Sequence, residues 1–534
     1  MDGKKGSMSR DFGDFQTPPA RVHAILALLQ QQGWKWTRVL EPTCGQGNFI
    51  AGLLNQPSQP QEIHGIEIQP HYVSSARALV RNFTSGNVTI HHANIFSLHI
   101  SRYLSWQTKG PLLVIGNPPW VTNTELSTLG STNLPQKTNL KHLPGLEALT
   151  GSANFDIAEY IWLKLIKELT HEQPTIALLC KTSVARNVLQ FAVTSNLPVS
   201  NASIRRIDAK KWFNASVDAC LFSRELRANE YQNHAEVYND LFSDQPASII
   251  KVINNHLFHL TTHSNSIMPA SSSSLTWRQG LKHDAASVVE LTIDATGQLQ
   301  NKLSEIVQVE ADYIYPLLKG SDLAGKSNIK SRRAIIVPHK RIGDNTKQLS
   351  IIAPQLWNYL TVHQKIFTQR KSSIYKNKPP FTYFGIGDYS FAPYKVAISG
   401  MYKTPHFRAI GPLQGKPVML DDTCYFIPCR SGEQAAFIVS LLKDPLCLEF
   451  LQTITFWDAK RPVTKKVLQR IDLLTILQYI NPQDILLRAQ QELATLTPQA
   501  KAIWPDRLED LLDDNYYLSS NEVDTAQLPL IEAL

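Results

Sequence analysis

The chain has 534 residues, of which 43% are hydrophobic and 18% charged, with a formal net charge of +8. That length calls for two or more domains, each with its own core, and no apolar run reaches the roughly 18 residues of a membrane-spanning helix. The opening MDGKKGSMSR has no apolar signal core, which points to the cytosol, and six scattered cysteines (44, 180, 220, 424, 429, 447) predict free thiols and no metal site.

Thr17-Pro18-Pro19 predicts a helix start, a threonine cap with proline in the first turn, before an apolar-periodic helix near 19–32. Residues 38–50, RVLEPTCGQGNFI, predict a short strand ending at Glu41, then Pro42, a loop through Gly45 and Gly47, and a helix from about Phe49. Glycines placed after a strand let the backbone approach a ligand closely. Residues 62–68, EIHGIEI, predict a second strand ending in Glu67. An acidic residue at that distance from the loop is where ribose hydroxyls are held. A third strand near 88–91 leads to Asn94-Ile95-Phe96.

Residues 112–120, LLVIGNPPW, predict a buried strand closed by Gly116, with Asn117-Pro118-Pro119-Trp120 at its carboxyl end. Open α/β sheets bind ligands at that edge. Two prolines fix the turn and remove two N–H donors. An amide side chain, a carbonyl and a flat aromatic on such a turn suit a planar amine. The first loop lacks the lysine of a phosphate cradle, and Glu41 would repel a pyrophosphate. A nucleoside bearing positive charge fits better than a dinucleotide.

A polar insert at 121–153 precedes a helix over 154–170, and strands follow at 175–180, 203–208 and 217–223. The alternation of strand and helix over 10–225 predicts a mostly parallel sheet with helices on both faces. The serine-rich texture of 245–276 predicts a boundary, giving a first domain over 1–245, a linker over 246–280 and a second domain over 281–534 that ends in helices. In that second half, basic residues gather with aromatics in three patches: Arg332, Arg333, Lys340 and Arg341; then Lys395, Lys403 and Arg408 among the residues of 370–408; then Lys460, Arg461, Lys465 and Lys466. Three such patches favour contacts to phosphates.

TPP, LEPTCGQGNF, GIEIQP, NIF and GNPPW, in that order, resemble the γ-class, TaqI-like amino-methyltransferases of DNA from restriction–modification systems. WRQGLKHD at 277–284, YPLLKGSDL at 315–323, YKVAISGMYK at 394–403 and FWDAKRPVTKK at 456–466 are similar to segments in the target-recognition halves of that group. The resemblance implies a class I S-adenosylmethionine-dependent methyltransferase fold, Rossmann-like with a mostly parallel seven-stranded sheet, followed by an α+β target-recognition domain. It implies methylation of adenine N6 in double-stranded DNA by base flipping. Thr17 and the prolines after it would contact the methionine end of S-adenosylmethionine, with Glu41, Pro42, Gly45 and Gly47 forming the loop beneath it. Glu67 would hold the ribose, and Ile68 would pack on the adenine, beside Asn94 and Ile95. Asn94 stands where the group usually has aspartate, which lowers the expected affinity for the cofactor. Asn117 and Pro118 would grip the target amine on the rigid Pro119 turn. Trp120 and Phe213 would stack on the extruded base, with Trp212 as the adjacent alternative to Phe213.

Other readings carry less. N4-cytosine methylation uses the same amine chemistry, but asparagine at 117 in place of serine favours adenine. The large basic second half argues against an RNA or protein-glutamine methyltransferase. Asn94 alone points to a DNA-binding specificity protein without catalysis. Pro428-Cys429 matches a cytosine-C5 nucleophile only by coincidence, outside the cofactor half. About ten residues precede the first motif, so a cognate endonuclease, if one exists, is expected as a separate chain. The methyltransferase itself is expected to be a monomer.

Overall fold

In the computed structural model, the first half forms one sheet, whose central strands, Leu112–Gly116 and Thr175–Lys181, are the most continuously apolar segments. β1 (Arg38–Glu41), β2 (Glu62–Glu67), β3 (Asn87–His92), β4 (Leu112–Gly116) and β5 (Thr175–Lys181) are mutually parallel, and β1, β2 and β4 are buried along their whole length. Burial on both faces is what a parallel sheet covered by helices requires. β6 (Ser200–Ile207) and β7 (Ala219–Glu225) complete a seven-stranded order 3-2-1-4-5-7-6, with β7 antiparallel to both neighbours. The residues described are 15–83, 87–121, 156–261, 273–294, 296–325, 332–498 and 502–513. Most of the predicted insert at 121–153 lies outside them.

The helices that bear on the site are α1 (Pro19–Gln31), α2 (Asn48–Leu54), α3 (Pro70–Val80), α4 (Ile157–Leu169), α5 (Thr182–Thr194) and α6 (Ala209–Phe213). Proline opens α1 and α3, where its missing N–H costs nothing. Asp156 caps α4, accepting the Ala158 N–H at 3.0 Å. Thr17 does not cap α1, contrary to expectation: Pro18 is the N-cap and no side chain bonds there.

The expected linker is a correction too. β8 (His234–Tyr238), β9 (Ser248–Ile253) and β10 (His256–Leu260) extend the same sheet to ten strands, and the first unit runs to Ser264. β9 and β10 pair around Asn254-Asn255, both at positive φ (48° and 63°), the signature of a two-residue hairpin turn. The serines of 271–274 dominate the texture of the span and hide this hairpin in the sequence.

The second unit, Asn265–Leu534, is α+β. β11 (Arg278–Gln279), β19 (Cys424–Cys429), β16 (Tyr394–Ser399) and β17 (Arg408–Ile410) form one sheet in that order. β13 (Leu299–Gln300), β12 (Glu290–Ile293), β15 (Arg333–Ile336), β14 (Ile314–Leu318) and β18 (Met419–Leu420) form another. The buried helix α7 (Gly432–Leu442) packs against α8 (Pro482–Leu496).

Candidate active site

β1, β2 and β4 stop at Glu41, Glu67 and Gly116, and their parallel pairing brings these carboxyl ends side by side. The pocket at that edge is lined by Thr17, Glu41, Gly45, Glu67, Asn94 and Asn117 among others. Pro42, Ile68, Ile95 and Pro119 of the expected set also line it, whereas Gly47, Pro118, Trp120 and Phe213 do not.

The glycine loop is tied down from two sides. Gly45 sits at φ +53°, a backbone conformation that strains any side chain, and a Cβ there would also displace the end of the Gln16 side chain, whose Oε1 would lie 2.5 Å away. Glu67 Oε2 accepts the Gly45 N–H at 2.9 Å, and its Oε1 accepts the Gln69 N–H at 2.7 Å. Asn48, at the start of α2, donates from Nδ2 to the Thr17 carbonyl at 2.9 Å. Asn94 Oδ1 accepts the Phe96 N–H at 2.9 Å, which fixes the turn after β3.

Several polar atoms of the pocket are buried without a hydrogen-bond partner: Thr17 Oγ1, Glu41 Oε2, Thr43 Oγ1 and Asn117 Oδ1. Native proteins rarely leave such atoms orphaned away from a ligand site. Glu41 is 3% exposed. Burial, and then the neighbouring charge of Glu67, push its carboxyl well above the usual range. A cation brought to this carboxylate would relieve both effects.

Asn117 is the best-defined group. Its Nδ2 donates to the Phe15 carbonyl at 2.7 Å, leaving Oδ1 as the free acceptor. The Phe15 ring meets Trp120 at 5.6 Å and Phe213 at 5.8 Å between centroids. Phe15, Gln16, Thr43 and Asn48 belong to the site and were missed in the sequence. Only the adjacency of Phe15 and Gln16 to the Thr-Pro-Pro motif marks them there.

Trp120 departs from its expected place as an open face. It is 4% exposed, its Nε1 donates to the Leu179 carbonyl at 3.3 Å, and it meets Phe213 edge-on at 5.2 Å and 82°. The indole N–H finds its partner at the end of β5, and this draws the ring into the core. Phe213 is half-buried at the end of α6, whereas the Trp212 ring is covered by the Arg21 guanidinium at 5.1 Å.

The basic patches of the second unit divide in the same way. Lys395 is 1% exposed on fully buried β16, donates to the Ala392 carbonyl at 2.7 Å, and has its pKa lowered by burial to about 7. It is a core residue and not a phosphate contact. Arg333 pairs with Asp322 at 2.8 Å, and Arg408 donates to the Leu323 and Gly325 carbonyls. Arg332, Lys403 and Lys460 are exposed, and Arg461 is half-buried. Among the described residues, no group of three or more His, Cys, Asp or Glu could hold a metal ion, and no helix is long and apolar enough to cross a membrane.

The 3-2-1-4-5-7-6 order with an antiparallel seventh strand, the glycine loop after β1 and the acidic end of β2 define a class I S-adenosylmethionine-dependent methyltransferase. Residues 5–188 match the family model for N-6 DNA methylases. The type II methyltransferase M.NspV of Nostoc sp. is 36% identical over 473 residues, spanning 88% of this chain and 98% of that protein. The type IIL restriction-modification enzyme MmeI, solved in complex with DNA, superposes with a TM-score of 0.53 at 13% identity, covering 93% of this chain and 80% of that one. The chain belongs to the N-6 DNA methylases of restriction–modification systems. Its cofactor is S-adenosylmethionine, and the pocket suits that group. Orphaned Glu41 Oε2, Thr17 Oγ1 and Thr43 Oγ1 await polar, partly cationic partners, and Ile68, 36% exposed on the rim, offers an apolar contact.

Proposed function

We propose that the protein methylates N6 of adenine at a specific site in double-stranded DNA, with the base flipped out of the duplex. In this reading it is a γ-class enzyme acting as a monomer, and cleavage belongs to a separate chain. The observation that carries the reading is Asn117, whose Oδ1 is a buried, unpartnered acceptor held outward by the Phe15 carbonyl at 2.7 Å from Nδ2. S-adenosylmethionine supplies an electrophilic methyl group on a sulfonium.

Glu41, Thr17 and Thr43 hold the polar end of the cofactor, while Glu67, Ile68, Asn94 and Ile95 hold its nucleoside. Asn117 Oδ1 and the Pro118 carbonyl accept the two hydrogens of the exocyclic amine. Two acceptors favour a pyramidal nitrogen with its lone pair directed at the methyl group. Both bonds strengthen as positive charge develops on nitrogen, so they stabilise the transition state over the ground state. The proton becomes acidic only after transfer, so no histidine or lysine base is needed. Flipping the base costs roughly a few kcal/mol, and stacking on Phe213, beside Trp120, returns about 1–3 kcal/mol. Exposed Arg332, Lys403 and Lys460, with Arg461, supply phosphate contacts.

Incubation with labelled S-adenosylmethionine and DNA, followed by nucleoside analysis, tests the reading. N6-methyladenine is the expected product, and N4-methylcytosine would replace this reading with its nearest rival. Asn117→Ala should abolish transfer while cofactor binding persists; full activity in that variant would remove the amide from the chemistry.

A further inference from the structure

An amide side chain can present either its oxygen or its nitrogen to a ligand, since the two orientations differ by a half-turn about one bond. Only the oxygen can grip an amine hydrogen; the NH₂ group would face it donor to donor. What selects the orientation in Asn117 is the Phe15 carbonyl, which takes Nδ2 at 2.7 Å. Phe15 is not held by a strand or helix, since α1 begins at Pro19. Its backbone is held through the next two residues, Gln16 and Thr17. The Thr17 carbonyl takes Asn48 Nδ2 at 2.9 Å, and Gln16 Oε1 takes the Gln46 N–H at 3.2 Å. Both anchors come from the cofactor loop and the first turn of α2. The Phe15 ring adds a third hold against Trp120 and Phe213.

We infer that residues 15–17 form a strap through which the cofactor loop sets the orientation of Asn117, with Asn48 as the positioning residue. This inference rests on the role proposed above for Asn117. Asn48 lies on the pocket wall, but its amide nitrogen is engaged with the strap. Its contribution is therefore to the rate of transfer more than to cofactor affinity. Loss of the anchor loosens the Phe15 carbonyl, lets the Asn117 amide turn, and leaves donors facing the amine.

Asn48→Asp keeps the shape and removes the donor. The expected result is a kcat lowered roughly 10- to 100-fold, with the dissociation constant for S-adenosylhomocysteine, measured by calorimetry, changed by less than about threefold. Asn48→Gln, which keeps a donor, should recover part of the rate. In an Asn117→Asp background either orientation presents an oxygen and the Phe15 bond is already lost, so Asn48→Asp should add little further loss. Loss of cofactor affinity with unchanged kcat would overturn the inference in favour of a plain cofactor contact. A lower melting temperature with unchanged kcat would overturn it in favour of a structural role. Full activity in Asn117→Ala would instead sink the reading of Asn117 itself, which the same assays detect separately.

Discussion

Glu41 is an expensive residue to keep in a cofactor-free protein. Its carboxylate is buried, one oxygen has no partner, and Glu67 adds a second negative charge nearby. Burying a charge without a partner destabilises unless the group takes up a proton. The carboxyl is therefore raised in the folded protein, and its contribution to stability is present below the unfolded value of 4.5 and lost as pH rises through the folded value. Binding of a cationic ligand favours the ionised form, so affinity for S-adenosylmethionine should rise with pH over that same interval. Glu41→Gln should raise the melting temperature of the cofactor-free protein at neutral pH. The same variant should weaken cofactor binding by at least about tenfold, or ~1.4 kcal/mol, and flatten its pH dependence. Calorimetric titration at several pH values checks both; tight, pH-independent binding by the wild type would remove Glu41 from the cofactor's charge. Glu41 was legible in the sequence because a carboxylate between a strand and a glycine loop has few other uses. Phe15 was not, because its working group is a backbone carbonyl, which every residue has.

At the level of elements, β2 and the edge strand β3 are joined by a side-chain chain that runs from Glu62, at the start of β2, through His64 to His91 near the end of β3. His64 Nε2 lies 3.0 Å from Glu62 Oε1, and His64 Nδ1 lies 2.8 Å from His91 Nε2. With Glu62 accepting the Nε2 proton, His64 Nδ1 accepts in turn from His91. Protonating both imidazoles would set two N–H groups against each other. Burial lowers both imidazoles, helped for His91 by the charges of His64 and Arg77. A lowered histidine favours the neutral form when folded, so its stabilisation is complete above the unfolded value of 6.5 and is lost as pH falls below it. The amides of β2 and β3 should exchange hydrogen faster, relative to β4 and β5, as pH falls from about 7 to about 5 after correction for intrinsic rates. His91→Gln should flatten that difference; an unchanged profile would place the acid sensitivity elsewhere. Strands built on an unbroken apolar run, such as β4 (LLVI) and β5 (IALLC), were legible with nearly their observed bounds. β9 and β10 were not, because SIIKVI alternates buried and exposed residues as a half-covered strand does and the serines beyond it dominate the composition. The Asn-Asn turn between them was the available signal.

For the whole molecule, charge counts and charge placement give different answers about DNA. The three basic patches look alike in sequence, yet Lys395 is in the core, Arg333 is paired and Arg408 is bonded to backbone carbonyls, while Arg332, Lys403 and Lys460 stay exposed. Lysine on a β-strand reads as a solvated side chain, but β16 is an inner strand of its sheet and has no solvated face. Only exposed cations can release counterions from a duplex, and each phosphate contact adds about 0.9 to the slope of log affinity against log salt. Replacing Arg332, Lys403 and Lys460 together by alanine should therefore weaken binding to specific and non-specific duplexes alike and reduce that slope by up to about 3. Lys395→Met should leave the slope unchanged while altering the melting temperature, because its ammonium meets a carbonyl and the Phe426 ring and no solvent. Titrations of a labelled duplex at several salt concentrations separate the two outcomes. If Lys395→Met lowers the slope and the triple variant does not, the second unit must bind DNA by another face.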